Sequence, residues 1–93
     1  ELQPTSPDTF YNRGIALYNL QRYHEALASY DRALALRGDY AEALLNRGMA
    51  LQRLQQLDSA LASFDRALAL NPNLAEGVYN RANVLRVAMR YSF

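Results

Sequence analysis

Few residues in this chain have the type and spacing for bond-making chemistry. The one histidine, His24, has Glu25 beside it but no second His and no Cys to complete a metal set. A solvated or capping role fits it better. Ser29 and Ser63 recur at one repeat position with no base beside them, so they read as small helix-surface residues rather than nucleophiles. The four glycines stand apart and form no phosphate-binding loop. The carboxylates read as solvated or capping groups. These residues point to no catalysis, no metal site and no cofactor. What recurs is an amide: Asn12, Asn46 and Asn80, spaced by 34 residues. An amide side chain donates and accepts, so a regular row of them suits a peptide main chain.

Charge and composition narrow the partners. Ten basic residues nearly cancel nine acidic ones, and they are scattered along the chain. A nucleic-acid binder or a polybasic membrane segment would cluster them, so neither partner is expected. All ten basic residues are Arg. Two readings remain open: the codon bias of a GC-rich bacterial genome, or a demand for fork-shaped guanidinium groups. Without Cys there is no disulfide frame. No apolar stretch approaches a membrane span, and no signal peptide is visible. A cytoplasmic location is the expectation, with the periplasm as alternative.

The elements that must position the amides follow from self-similarity. Pro7–Tyr40 laid over Ala41–Leu74 agrees at half of the 34 aligned positions. Asn12-Arg13-Gly14 falls on Asn46-Arg47-Gly48 and then on Asn80-Arg81-Ala82. Asp31-Arg32-Ala33-Leu34-Ala35-Leu36 falls on Asp65-Arg66-Ala67-Leu68-Ala69-Leu70. Within each unit the apolar residues return at helical spacing: Phe10, Gly14 and Leu17, then Ala26, Tyr30 and Ala33. A break near Gln21–Tyr23 divides the unit into two helices. Ser6 with Pro7 predicts an N-cap followed by Pro at the first helical position. Asp39 with Glu42, and Asn73 with Glu76, have the spacing of capping boxes, and Asp58 is placed to cap a helix from Ser59.

With its large residue at position 4, Gly at 8, Ala at 20, an aromatic at 24 and Ala at 27, each unit resembles the tetratricopeptide repeat. The first holds Phe10, Gly14, Ala26, Tyr30 and Ala33; the second holds Leu44, Gly48, Ala60, Phe64 and Ala67, with Pro72 at position 32. Gly38 departs from that Pro, Ala82 from the Gly, and Gln21 and Gln55 stand where a turn Gly is common. The resemblance implies an all-α fold, a right-handed superhelix of antiparallel helix pairs. It divides the chain into a tail (1–6), two repeats (7–40 and 41–74) and a truncated third (75–93) whose first helix alone is present. In a helix pair turning near position 16, position i faces about 32 − i. Gly14 should then meet Tyr30, Gly48 should meet Phe64, and Arg13–Asp31 and Arg47–Asp65 should pair within their repeats. The last helix carries Val78, Leu85, Val87 and Met89 without its usual cover, so the expectation is that the native protein continues or that copies of the chain cover each other's ends, the alternative being a tolerated, frayed terminus.

In this family the first helix of each pair lines the concave side. Carried over, the inward positions hold Tyr11, Leu45 and Tyr79; Ile15, Met49 and Asn83; Tyr18, Gln52 and Arg86; and the asparagine row. Asp8, Glu42 and Glu76 form an acidic margin, with Arg53 and Arg86 towards the other side. The row resembles the asparagine ladder in the repeat arm of O-linked N-acetylglucosamine transferases. Its alternatives are amides that satisfy a neighbouring helix backbone, or plain inheritance by duplication. The family's carboxylate clamp for chaperone tails needs basic residues where this chain has Tyr11, Glu76 and Asn80; only Asn46 matches. The implied function is a non-catalytic scaffold that binds a peptide or helix in the groove. Two other readings are a self-assembly module working through the C-terminal helix, and the substrate-recruiting arm of a larger enzyme such as a glycosyltransferase.

Overall fold

A computed structural model describes residues 6–90; positions 1–5 of the tail and 91–93 of the third unit lie outside the described residues. It consists of five helices: α1 (Pro7–Asn19), α2 (Tyr23–Leu36), α3 (Ala41–Arg53), α4 (Leu57–Leu70) and α5 (Ala75–Arg90). Each packs mainly on its chain neighbours, with slight α1–α3 and α3–α5 contact, so the molecule is elongated, 55 × 27 × 17 Å. The chain is an all-α helical repeat.

Local signals explain some boundaries and fail at others. The Ser6 hydroxyl accepts from the Asp8 N–H at 3.2 Å with Pro7 at the first helical position, as expected. The other caps differ. α3 starts after Tyr40, without a side-chain cap, and Asp39 pairs with Arg37 at 3.4 Å. α4 starts at Leu57 behind Gln56, which leaves Asp58 inside the first turn. Before α5, the Asn73 N–H donates to Asn71 Oδ1 at 3.2 Å, so Asn71 closes the turn there. Burial outweighs capping at these junctions. The carbonyls of Tyr40 and Leu74 receive the first helical bonds while their side chains pack on the core.

The two turns within repeats are closed by the same paired hydrogen bonds. Arg22 N–H donates to Leu17 O and Gln21 N–H to Tyr18 O; Gln56 and Gln55 repeat this with Leu51 and Gln52. The motif requires a left-handed residue, and Gln21 and Gln55 both adopt φ 63°. A non-glycine residue there costs roughly 1–2 kcal/mol, so the turns form in spite of the missing glycine.

The helix pairs close around the expected small residues. Gly14 faces the Tyr30 ring, and a Cβ on Gly48 would lie 2.5 Å from Phe64 Cε1. Ser29 and Ser63 are buried, contrary to the helix-surface reading. Their hydroxyls donate to the carbonyls of Phe10 (2.7 Å) and Leu44 (2.9 Å), joining the two helices of a pair where only a small side chain fits.

The arginine–aspartate pairs also differ from expectation. Asp31 bonds Arg47 at 2.6 Å and Asp65 bonds Arg81 at 2.5 Å. Each bridge joins a second helix to the first helix of the next repeat, and Arg13 lies near the Phe10 ring instead. The 32 − i rule considers one hairpin alone, whereas the next first helix packs against the flank of α2 that carries Asp31. Arg47 is 26% and Asp31 51% exposed, so solvent screens the pair. Arg47→Ala should cost at most about 1 kcal/mol in thermal denaturation. A loss of about 3 kcal/mol, the scale for breaking a buried pair, would contradict this.

Candidate functional site

The first helices α1, α3 and α5 bring most of the expected residues to one side, but not equally. Near the N-terminal ends of α1 and α3, Tyr11 stacks obliquely on Tyr40 (ring centroids 4.9 Å) and Tyr30 (6.2 Å). Its hydroxyl accepts from Asn46 Nδ2 at 2.9 Å. Burial raises the Tyr11 pKa above its ordinary value, the Asn46 bond opposes this, and Glu42 and Glu76 add to the rise. Tyr40 donates to Asp8 Oδ1 at 2.6 Å, tying the acidic margin to the junction between repeats.

The asparagines occupy three different environments. Asn46 is half-buried and bonds a side chain; Asn12 is exposed; Asn80 is half-buried. Among the described residues, none bonds the backbone of a neighbouring helix, and Asn12 and Asn80 have no side-chain partner. Their amides retain donor and acceptor capacity.

Further along the same side lies a cavity of about 390 Å³ lined by Tyr18, Met49, Gln52, Arg53, Gln55 and Asn80. Tyr18 meets Tyr23 edge-on at 5.2 Å, and its hydroxyl accepts from Arg53 Nε at 3.2 Å. The Arg53 guanidinium lies 5.9 Å from the Tyr23 ring centroid. On α5, Arg86 Nη2 donates to Asn83 Oδ1 at 2.9 Å.

Leu45 requires a correction. It is only 5% exposed and belongs to the core, because Gly77 lets α5 approach and cover it. It offers no free surface to a ligand. Ile15 and Met49 are half-buried against the core, whereas Tyr79 is 66% exposed. Helix-face reasoning did not single out Gln55 or Tyr40, which lie in connections. The signal for Gln55 is a non-glycine residue at a left-handed turn position. His24 is exposed, and no metal-binding group of side chains occurs among the described residues. No helix among them is long and apolar enough to cross a membrane.

Comparison with known proteins bears on this arrangement. The first TPR of Spaghetti (RPAP3), bound to the HSP90 peptide SRMEEVD, is similar at 29% identity with a TM-score of 0.91, over 94% of this chain and 69% of that one. The first TPR domain of human RPAP3 is similar at 28% identity and 0.89, over 98% and 73%. The second TPR domain of human RPAP3, in complex with the HSP70 peptide SGPTIEEVD, is similar at 29% and 0.83, over 86% and 67%. No curated protein sequence matches this one. The family model described as tetratricopeptide repeat matches residues 11–90. The chain belongs to the tetratricopeptide repeat family.

Proposed function

We propose that the chain is a non-catalytic interaction scaffold that holds an extended peptide along the first-helix groove. The supporting observation is asparagine at one position of all three first helices, with the Asn12 and Asn80 amides free of side-chain partners. Amides at that spacing bind a main chain with little regard to its sequence. The aromatic and aliphatic surfaces of Tyr11, Tyr18 and Met49 beside them favour a peptide over a compact polar metabolite. Similar domains bound to an HSP90 peptide and an HSP70 peptide point to the same ligand class. The recognition proposed here differs from the family's carboxylate clamp, because Glu76 stands where that clamp needs a cation and would repel a terminal carboxylate.

The test replaces Asn46 and Asn80 together with Ala. The probe is a set of synthetic nonapeptide mixtures, acetylated and amidated at their ends, titrated by competition against a fluorescent mixture. Wild-type protein should bind, and the double variant should lose binding while its circular dichroism remains helical. Undiminished binding by a folded double variant would remove the asparagine row from the reading.

A further inference from the structure

The cavity at the far end of the groove has a charge with nothing to neutralise it. Four arginines bond carboxylates: Arg22 with Glu25, Arg37 with Asp39, Arg47 with Asp31 and Arg81 with Asp65. Arg53, like Arg13, Arg32, Arg66, Arg86 and Arg90, bonds none among the described residues, but it alone of these lines the cavity. Its one hydrogen bond runs from Nε to the Tyr18 hydroxyl, leaving both Nη groups without a partner. No acidic residue lines the cavity; Gln52, Gln55 and Asn80 bring amides, and Met49 and Tyr18 bring apolar surface. Glu42, the acid at the start of the same helix, is eleven residues away, about 16 Å along the axis. That is about two Debye lengths at physiological salt, too far to neutralise Arg53.

A cation at the end of α3 also suits the helix dipole. That role does not account for Arg53, because the same position holds Asn19 in α1 and Val87 in α5. The repeat does not require a cation there. The bond from Nε to the Tyr18 hydroxyl and the Tyr23 ring 5.9 Å from the guanidinium carbon restrain the group before a ligand arrives. A guanidinium edge matches the two oxygens of a carboxylate. A single cation balances a monoanion, whereas a phosphate dianion would call for a second positive group.

We propose that the Tyr18–Arg53 cavity is a carboxylate subsite of the groove, with Arg53 gripping the anion and the amides of Gln52, Gln55 and Asn80 completing its hydrogen bonds. The carboxylate comes from an acidic side chain or from the C-terminus of the bound peptide. This rests on the peptide-groove reading and lies at the opposite end of the helices from the acidic margin.

The nonapeptide mixtures test it directly. One position at a time is fixed as Glu or as Gln, with both ends blocked. A second series omits Asp and Glu and compares a free C-terminal acid with its amide. Wild-type protein should prefer the carboxylate in one series by about fivefold, the scale of a partly exposed ion pair, and added salt should shrink the preference. The series that responds identifies the source. Arg53→Gln should erase the preference, so that each acid and its uncharged counterpart bind alike. Tyr18→Phe, which keeps the charge but frees the guanidinium, should weaken it in part. Equal binding of acid and amide by wild-type protein overturns the subsite alone, as does a preference that survives Arg53→Gln. Failure of every mixture to bind overturns the groove reading and the subsite together.

Discussion

Gly48→Leu is expected to unfold the domain, and Gly48→Ala to lower its melting temperature by several degrees. A Cβ at Gly48 would stand 2.5 Å from Cε1 and 2.7 Å from Cδ1 of Phe64. That ring has no exposed surface and belongs to the buried cluster of Leu44, Leu45, Leu51, Ala60, Ala67 and Val84. It has nowhere to move. Alanine recovers about 1 kcal/mol of helix propensity over glycine, yet overpacking of this kind costs about 1–3 kcal/mol. The expected result for alanine is a net loss of up to about 2 kcal/mol, with about 4–8 °C per kcal/mol in a domain of this size. Leucine forces the two helices apart, and the loss joins the exceptional class above about 4 kcal/mol. Small domains have about 5–15 kcal/mol to lose. The measurement is thermal unfolding followed by circular dichroism. A cooperative transition for Gly48→Leu at the wild-type temperature would refute the account. Phe64→Leu should partly rescue Gly48→Ala, because the clash is with the ring and not with the backbone.

High pH should destabilise the fold well before any arginine titrates. Burial holds the Tyr30 hydroxyl far above its ordinary value of 10.0, with smaller contributions from Tyr11 and Tyr18. Burial also raises Tyr40, reinforced by its hydrogen bond to Asp8 and that carboxylate's charge, and opposed by Arg37. A tyrosine with a raised folded pKa keeps its proton in the native state while the unfolded chain releases one above about pH 10. The unfolded state then binds fewer protons, and stability falls as pH rises. Each such tyrosine loses about 1.4 kcal/mol per pH unit above 10. Together Tyr30 and Tyr40 should remove about 3 kcal/mol between pH 9 and pH 11. Melting temperatures across that range test this directly. Tyr40→Phe should remove about half of what this pair contributes to the slope, with Tyr11 adding a part of its own, at a cost near neutrality of about 1 kcal/mol for the lost bond to Asp8. A melting temperature that holds level to pH 11 would show that these hydroxyls ionise as readily folded as unfolded.

How much of the site could be read in advance differs from residue to residue. The asparagine row needed only the 34-residue offset, and Met49, Gln52, Arg53 and Asn80 do line one cavity. Leu45 could not be judged the same way. Its position in α3 is equivalent to that of Tyr11 in α1 and Tyr79 in α5, yet the approach of α5 at Gly77 buries it. Gln55 enters the cavity from a turn, where helical periodicity assigns no face.

Within a repeat, the sequence by itself placed the contacts between the two helices, though not the buried Ser29 and Ser63 or the start of α4 at Leu57. Helical spacing placed Gly14 against Tyr30 and Gly48 against Phe64, because two short helices joined by a tight turn have almost one way to pack. The tertiary structure decided what lies between repeats. It turned Asp31 to Arg47 and Asp65 to Arg81, hid Leu45, displaced the helix caps and left Arg53 without a carboxylate. The physical reason is one of range. Periodicity specifies which residues share a face of a helix, whereas the rotation of one repeat on the next depends on how many side chains fill their shared boundary at once. The proposed carboxylate subsite depends on that second step, since Tyr18 and Arg53 come from different repeats.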